Sequence, residues 1–525
     1  MSGSSTARPS DCESTSLVKQ YLQSVGHERL DAGAVAFWAA VDQVRSVNPL
    51  VADSIVQELR DQRANIKLIA SENYSSLATQ MAHANLLTDK YAEGYPGHRF
   101  YAGCDNVDTI ESEAARLACQ LFVAEHAYVQ PHSGADANLV AFLAILGTRV
   151  ESRLLEGFSE TDPTKLSRDQ WEELRGRLRG ARLLSMDYYS GGHLTHGYRR
   201  NVSSRLFDVY TYTTDRESKL LDLDVIRAQV REVRPLILLA GYSAYPRTID
   251  FAAFREFADE VGAVLMVDMA HFAGLVAGGV FTGNYNPVPH AHVVTSTTHK
   301  TLRGPRGGFV LSTAEFADAV DRACPAILGG PLPHVLAAKA VAFTEALRSD
   351  FQSYARLVVE NAQTLAECLM RGGLEVLTGG TDNHLLLVDV AHGRGLTGRQ
   401  AESALRACGI TLNRNALPFD TNGPWYTSGL RLGTAAVTTL GMGAAEMTEI
   451  ADLVRLVLDS TTPGRIQEGA RKGELSKVNY ELSPSIASEV RSRAGDLMRR
   501  HPLYPELGLD LAAMATPPAE GSRSD

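Results

Sequence analysis

The sequence predicts an α/β fold in which helices cover both faces of a mostly parallel β-sheet. Three short runs, at residues 183–186, 236–239 and 264–267, have the apolar composition of strands that are buried on both faces. Polar side chains follow each run, and ligands of such sheets bind at the carboxyl ends of the strands. We therefore expect a ligand site along one edge of this sheet.

The composition of the 525-residue chain, with 44% hydrophobic and 21% charged residues, is typical of a globular protein with two or three domains. Its net charge of -10 and its dispersed basic residues argue against a nucleic-acid partner. No apolar run approaches the roughly 18 residues of a membrane span, and the N-terminus lacks a signal-peptide pattern. The six cysteines are scattered without metal-type spacing, which indicates reduced thiols. We expect a cytoplasmic protein that binds neither membrane, nucleic acid nor metal.

We divide the chain into three segments. Residues 1–67 are predicted to form a tail, disordered over 1–14, and a helical arm. Residues 68–345 are predicted to form the large domain, and residues 346–525 a smaller α+β domain that ends in a second tail. Within this last segment we expect a charged linker before a helix near 486–498.

The loop at residues 90–103 contains a Gly-Tyr-Pro-Gly turn, three further aromatic residues and one carboxylate, Glu93. Such a loop is either functional or a turn packed by its tyrosines, and the stretch alone does not decide between the two. Asp108 and Glu111 have the spacing of a capping box at a helix start.

A strand at 127–130 leads into Ser133 and Gly134 and then into a helix. A strand, a small polar turn and a helix start in this order can bind a phosphate on the free backbone N–H groups of the helix. The signal is weak by itself, because many α/β crossovers contain Ser-Gly turns. The charged stretch 150–180 that follows is predicted to be an insertion. It carries a capping box at Ser167–Gln170 and a narrow apolar stripe through Trp171, and we expect it to leave the sheet on the face away from the ligand site.

Lys300 follows another predicted strand, at the start of a turn that contains glycine, proline, histidine and arginine. Burial and neighbouring cations lower the pKa of a lysine, and its neutral amine can then form a Schiff base with a carbonyl group. A solvated basic turn, or a glycine-rich loop that binds a nucleotide anion, explains the stretch equally well. The polar side chains that follow the other predicted strands favour the interpretation that Lys300 forms a Schiff base.

Five motifs, taken together and in order, resemble serine hydroxymethyltransferase, a pyridoxal-phosphate enzyme of fold type I with a seven-stranded sheet. The motifs lie at residues 68–74, 90–97, 191–197, 267–271 and 297–308, and the resemblance extends from about Asn48 to Pro502. It implies reversible transfer of the hydroxymethyl group of serine to tetrahydrofolate, with glycine as the second product.

The resemblance also implies a role for individual residues. Lys300 is implied to bind pyridoxal phosphate covalently, with Asp268 paired to the pyridinium nitrogen. The other implied cofactor contacts are Ser133, Gly134, Ala135, His193, Ser243, His271, Thr297 and His299, with Gly330 from a neighbouring subunit.

For the substrates, the resemblance implies that Arg431 binds the amino-acid carboxylate, with Ser71 beside it and Arg306 nearby, and that Asn415 contacts the pterin. It implies that Tyr91, Glu93 and Tyr101 enter from the partner chain of a homodimer or dimer of dimers, with Glu93 as the acid/base. The sequence departs from the family pattern at Phe100, Ala135, Tyr188 and residues 324–328.

Two alternatives remain beside this function. A pyridoxal-phosphate aldolase of the same fold cleaves β-hydroxy amino acids without folate, and the retained Glu93 and Asn415 favour the folate-dependent reaction instead. A nucleotide-binding or catalytically silent protein, which keeps the loop only for anions, belongs to a different class.

Overall fold

The computed structural model describes residues 16–160 and 162–509, without the side chains of His27 and Cys324. The predicted disordered tail at 1–14 and the C-terminal tail after residue 509 lie outside the described residues. Within the described part, the chain forms two compact units, one of residues 16–63 with 502–509 and one of residues 64–501.

The first unit is helical. It contains α1 (Leu17–Ser24), α2 (Ala32–Val47) and most of α3 (Pro49–Ala64). The indole N–H of buried Trp38 donates a hydrogen bond to the carbonyl oxygen of Leu507 at 2.9 Å, and the guanidinium of Arg63 donates to the carbonyl oxygen of Leu503 at 2.8 Å. The C-terminal residues of this unit are therefore held against its N-terminal helices.

The second unit contains all the strands of the described residues. In chain order these are β1 (Ile66–Lys67), β2 (Gly94–Tyr95), β3 (His98–Arg99), β4 (His126–Tyr128), β5 (Arg182–Met186), β6 (Asp208–Tyr212), β7 (Ile237–Gly241), β8 (Val264–Asp268), β9 (Val293–Thr297), β10 (Gly308–Ser312), β11 (Glu375–Val376), β12 (Leu385–Asp389), β13 (Ile410–Thr411), β14 (Asn413–Asn415), β15 (Gly429–Gly433), β16 (Thr461–Arg465) and β17 (Leu475–Leu482). The helices of this unit are α4 (Leu77–Met81), α5 (Asp105–Phe122), α6 (Gly134–Leu146), α7 (Ser152–Phe158), α8 (Arg168–Arg179), α9 (Ser203–Leu206), α10 (Leu223–Val233), α11 (Phe251–Val261), α12 (Ala273–Ala277), α13 (Ala314–Asp321), α14 (Pro333–Ala346), α15 (Ser349–Arg371), α16 (Ala391–Arg394), α17 (Gly398–Ala407), α18 (Gly423–Tyr426), α19 (Ala435–Thr439), α20 (Ala444–Asp459) and α21 (Pro484–Arg500).

The large sheet has seven strands in the described chain, in the spatial order β4-β10-β9-β8-β7-β5-β6. Five adjacent strands, β9, β8, β7, β5 and β6, are parallel to one another. Strand β10 is antiparallel to both of its neighbours, β4 and β9. In β7, Leu238 packs into one hydrophobic core, while Ile237 and Leu239 pack into another on the opposite face. Both faces are covered, which explains the apolar composition of these strands. The predicted α/β fold with a mostly parallel sheet is confirmed.

A smaller antiparallel sheet has the order β11-β12-β15-β14. Its core includes Leu386, Leu432 and Val454, so that α20 packs against the sheet. Strand β1 pairs with β13 at residues 66 and 410, which brings the chain just before Ser71 into this region.

Two local predictions are wrong. Residues 461–482, the predicted charged linker, contain the hairpin of β16 and β17, and the alternation of Val478, Tyr480 and Leu482 was the overlooked signal. Helix α5 begins at Asp105 rather than after Asp108, and the expected capping box is absent from that helix start. The carboxylates of Asp108 and Glu111 instead accept hydrogen bonds from Arg99.

The predicted insertion contains α7 and α8, and Ser167 and Gln170 form the expected capping box at the start of α8. In the apolar stripe, Leu174 is fully buried, whereas the side chain of Trp171 is 44% exposed. The insertion follows the C-terminal end of α6. Among the described residues, no helix is long and apolar enough to cross a membrane.

Candidate active site

A cleft of about 750 Å³ opens where β5, β7, β8 and β9 end. The N-terminus of α6 and the strands β14 and β15 form further parts of its wall. The cleft brings together most of the predicted site residues, namely Ser71, Ser133, Gly134, Ala135, His193, Ser243, Asp268, His271, Thr297, His299, Lys300, Arg306, Asn415 and Arg431. They converge because the carboxyl ends of parallel strands meet at one edge of the sheet.

Lys300 lies just beyond β9 and is 9% exposed. Burial lowers the pKa of Lys300 to about 8, a net value in which Asp268 opposes the shift and Arg431 and Arg306 add to it. Within the described residues, no side chain or carbonyl makes a hydrogen bond or ion pair with its Nζ atom. This amine is therefore accessible to a carbonyl compound in the cleft, and it is a better nucleophile at neutral pH than an ordinary lysine.

The carboxylate of Asp268 closes β8 and is almost fully buried. Burial by itself raises the pKa of Asp268, but the hydrogen bonds from His196 and Asn138 hold it well below its usual range. Oδ2 accepts hydrogen bonds from Asn138 at 2.9 Å and from His196 Nε2 at 3.0 Å, and Oδ1 accepts one from the N–H of Ala270 at 3.0 Å. The carboxylate is therefore ionised and fixed in one orientation.

His193 is held close to this carboxylate. Its Nδ1 atom lies 2.7 Å from the hydroxyl of Thr195, which also accepts a hydrogen bond from Asn138 at 2.7 Å. Burial, followed by the neighbouring His196, lowers the pKa of His193 to about 4. The imidazole is therefore neutral at physiological pH and presents an uncharged ring to the cleft.

His271, which lines the cleft, is paired with a buried histidine behind it, His384. Nδ1 of His271 is 3.2 Å from Nε2 of His384, and the two rings are stacked with their centroids 5.4 Å apart. Burial lowers the pKa of His384 to about 3 and that of His271 well below its usual value. Because both imidazoles are neutral, one donates the hydrogen bond to the other.

Arg431 lies on β15 and faces the cleft. Burial lowers the pKa of Arg431 to about 10, which leaves the guanidinium fully charged at neutral pH. It donates to the carbonyl oxygen of Ser243 at 2.5 Å and to the side chain of Asn413 at 3.1 Å, and no carboxylate of the described chain binds it. An arginine in this state can bind the carboxylate of a ligand through two parallel hydrogen bonds.

The N-terminus of α6 also faces the cleft. The Ser133 hydroxyl accepts a hydrogen bond from the N–H of Asp136 at 3.1 Å and so caps the helix. A Cβ atom on Gly134 would lie 2.7 Å from the Thr297 side chain, so only glycine allows this close approach. The free N–H groups and the dipole of such a helix start attract a phosphate.

Four predicted residues do not line this cleft, namely Tyr91, Glu93, Tyr101 and Gly330. The rings of Tyr91 and Tyr101 are in edge contact with centroids 4.8 Å apart, and a Cβ atom on Gly330 would lie 3.2 Å from the ring of Tyr91. Tyr91 is 55% exposed and Tyr101 48% exposed. Tyr91, Tyr101 and Gly330 thus form a separate group in the same chain, outside the cleft.

Comparison with known proteins decides the family. Residues 44–160 and 178–454 match the family model described as serine hydroxymethyltransferase. The chain belongs to the serine hydroxymethyltransferase family. The predicted resemblance is confirmed, and the gap in the match falls within the predicted insertion.

Several curated relatives carry the same name. The protein of Treponema pallidum is 60% identical over 492 residues, which cover 94% of this chain and 85% of that protein. The protein of Salinispora tropica is 55% identical, with 91% of this chain and 99% of that protein covered. The protein of Mycolicibacterium smegmatis is 54% identical, with 92% and 97% covered.

Several residues that hold this cleft together are not among the predicted site residues. Asn138, one turn into α6, binds Asp268 directly, and His384 lies before β12, far along the chain from His271. The amide of Asn73 donates to the carbonyl oxygen of Lys300 at 2.9 Å. Two residues had a visible signal, because Asn73 lies within the motif 68–74 and His196 is spaced three residues from His193 within the motif 191–197.

Proposed function

We propose that this protein catalyses the reversible transfer of the hydroxymethyl group of L-serine to tetrahydrofolate, which yields glycine and 5,10-methylenetetrahydrofolate. The observation that carries the proposal is the arrangement of Lys300, Asp268 and Arg431 in one cleft of a serine hydroxymethyltransferase family member. An unengaged buried amine, a fixed carboxylate and an arginine without a carboxylate partner meet there.

The residues of the cleft fit pyridoxal phosphate. Lys300 has a free amine for the aldehyde, the capped start of α6 at Ser133, Gly134 and Ala135 suits the phosphate, and Asp268 offers a charge to a protonated ring nitrogen. His193, Ser243, His271, Thr297 and His299 line the remaining wall. When bound, the cofactor supplies an electron sink for the α-carbon of the amino acid.

The protein side chains divide the remaining tasks. Arg431 binds the serine carboxylate, with Ser71 beside it and Arg306 adding positive charge, and this fixes the amino acid in the cleft. Asp268, ionised and held by Asn138, keeps the ring nitrogen protonated. Neutral His193 presents its ring to the cofactor without adding charge.

We assign proton transfer at the hydroxymethyl group to Glu93, with Tyr91 and Tyr101 beside it. These residues and Gly330 lie outside the cleft of their own chain, and the rings of Tyr91 and Tyr101 are exposed, as expected if the group completes the cleft of a second copy. The active protein is accordingly a homodimer, or a dimer of dimers, with shared sites. Exposed aromatic side chains of this kind are frequent in protein interfaces.

We place the pterin at the mouth of the cleft, near Asn415. Tyr188, one of the positions that depart from the family pattern, lines the same cleft. Its ring contacts Tyr189 and Tyr198 at centroid distances of 5.4 and 5.1 Å. An aromatic wall of this type suits a flat ring system.

The remaining assignments concern organisation and location. We assign residues 68–345 to a large domain that binds the cofactor and residues from 346 onwards to a smaller domain, after an N-terminal arm that ends at residue 67. The protein acts on small molecules, and we place it in the cytoplasm.

The test is formation of glycine from serine by the protein loaded with pyridoxal phosphate, with and without tetrahydrofolate. We expect turnover that depends on tetrahydrofolate, and a strongly raised KM for serine in Arg431→Lys, which keeps the charge but loses the fork geometry. Equal turnover with and without tetrahydrofolate would indicate a folate-independent aldolase instead.

A further inference from the structure

Lys339 is a buried lysine that does not line the cleft. It lies on α14, is 1% exposed, and donates hydrogen bonds to the carbonyl oxygens of Val129, Pro131 and Gly308 at 2.5, 2.9 and 2.8 Å. An ammonium group has three N–H donors, so all of them are used. No carboxylate in the described part of the chain binds this ammonium.

The three carbonyl groups belong to two segments that support the turn 133–135. Val129 and Pro131 lie just before the turn, and Gly308 opens β10. The N–H of Gly308 donates to the carbonyl oxygen of Pro131 at 2.9 Å, and a Cβ atom on Gly308 would lie 2.3 Å from the carbonyl oxygen of Ser133. Lys339 therefore joins both segments at the point where the turn begins.

We propose that Lys339 is a positioning residue for phosphate recognition, which holds the turn 133–135 and the first N–H groups of α6 in place through the carbonyl oxygens of Val129, Pro131 and Gly308. The proposal rests on the proposed function, in which this turn binds the phosphate of pyridoxal phosphate. Burial lowers the pKa of Lys339 to about 7, while Glu111 and Asp136 oppose that shift. The three carbonyl oxygens nevertheless match the three N–H donors of the charged form, so the contacts persist when the amine is protonated.

The test compares two aldehydes, pyridoxal 5'-phosphate and pyridoxal, which lacks the phosphate. Their dissociation constants are measured by absorbance titration on the cofactor-free parent, on Lys339→Met and on a control, Asn361→Leu. Asn361 is buried and donates to Thr438 and to the carbonyl oxygen of Met442, so the control loses buried hydrogen bonds far from the turn in sequence.

We expect Lys339→Met to lose about tenfold or more in affinity for pyridoxal 5'-phosphate and less than about threefold for pyridoxal, because methionine leaves the three carbonyl groups without their donor. Asn361→Leu should change both affinities by the same factor. A Lys339→Met protein that keeps the parent's preference for the phosphorylated aldehyde would overturn the proposal.

Two further outcomes are distinguishable. A parent protein that binds both aldehydes equally would contradict the phosphate site of the proposed function itself. If Lys339→Met does not fold, Lys339→Gln, which retains two donors, is judged by the same criterion. Failure of both variants to fold would assign Lys339 to the fold as a whole, and this too would overturn the proposal.

Discussion

The Nε2 atom of His196 lies 3.0 Å from Oδ2 of Asp268, in the interior of the protein. The same oxygen accepts a hydrogen bond from Asn138. A buried carboxylate with this many donors retains its charge, because each hydrogen bond to the ionised form offsets the cost of burial. The structure thus provides a permanent negative charge at the end of β8.

The first prediction concerns that charge. Because the pKa of Asp268 is held well below its usual value of 3.8, the carboxylate stays ionised at every pH above that value, and the pH profile of serine cleavage should show no inflection from it between pH 5 and 9. Asp268→Asn removes the charge and should lower kcat about 100-fold or more at saturating cofactor. His196→Gln keeps a donor to Asp268 and should lose at most about tenfold. A wild-type kcat in Asp268→Asn would contradict the role.

The second prediction concerns Lys300 and its pH dependence. Burial lowers the pKa of Lys300 from 10.5 to about 8, so its amine is neutral above pH 8, where an ordinary lysine is still charged. The rate of pyridoxal-phosphate incorporation into cofactor-free protein should rise about tenfold per pH unit below pH 8 and level off above it. Stopped-flow absorbance measures this rate.

Lys339, a second buried lysine, serves as an internal control for the assignment of Lys300 as the lysine that binds the cofactor. Burial also lowers its pKa, but its three donors are bound to carbonyl groups, whereas the amine of Lys300 has no such partners. Borohydride reduction of the loaded protein, followed by peptide mapping, should therefore place the label on Lys300. A label on Lys339 would contradict the assignment.

The third prediction concerns shared sites. If Glu93 completes the cleft of a partner subunit, a mixture of Lys300→Ala and Glu93→Gln chains should regain activity, because one of the two hybrid sites contains both intact residues. At most about half of the parent activity per hybrid dimer is expected, since the other site carries both changes. Mixed dimers are isolated with two affinity tags. Isolated hybrids that remain inactive would refute shared sites.

The fourth prediction concerns the inserted helices. The N-terminus of α6 faces the cleft and the insertion follows its C-terminal end. At 1.5 Å per residue, the helix places about 20 Å between the two. Replacing residues 150–180 by a short turn should leave the KM for serine within about threefold and lower the melting temperature, because Leu155 and Leu174 are buried. Leu174→Ala, with an expected loss of about 2–5 kcal/mol, should reproduce part of the thermal effect. A large rise in KM in a folded deletion variant would show that the insertion contributes to the site.

The fifth prediction separates two reactions of the same site. Glu93→Gln should slow the tetrahydrofolate-dependent cleavage of serine by about two decades, as expected for a general acid/base. It should affect the folate-independent cleavage of a bulky β-hydroxy amino acid much less, because that step depends mainly on the electron sink. Both rates are measured on one protein preparation. Equal losses in the two reactions would argue against this role of Glu93.

The sequence by itself determined the class of fold and most members of the cleft. Apolar strands that end in polar residues carry a local signal, and the topology of a parallel sheet places their ends side by side without further information. The sequence alone therefore predicts that Lys300, Asp268 and Ser133 belong to one site. Local charge predicts a linker at residues 461–482, whereas the chain forms a hairpin there because its alternating apolar residues pack on one face.

Only the tertiary structure decided which side chains bind one another. The contacts of His384 with His271 and of Lys339 with Pro131 join residues more than a hundred positions apart, and no periodicity records such pairs. The resemblance already implied that Glu93 and Tyr91 serve a partner's cleft, and in the structure neither residue lines the cleft of its own chain. Sequence patterns report which face of an element is buried, whereas the partner of a buried polar group is set by how distant elements pack.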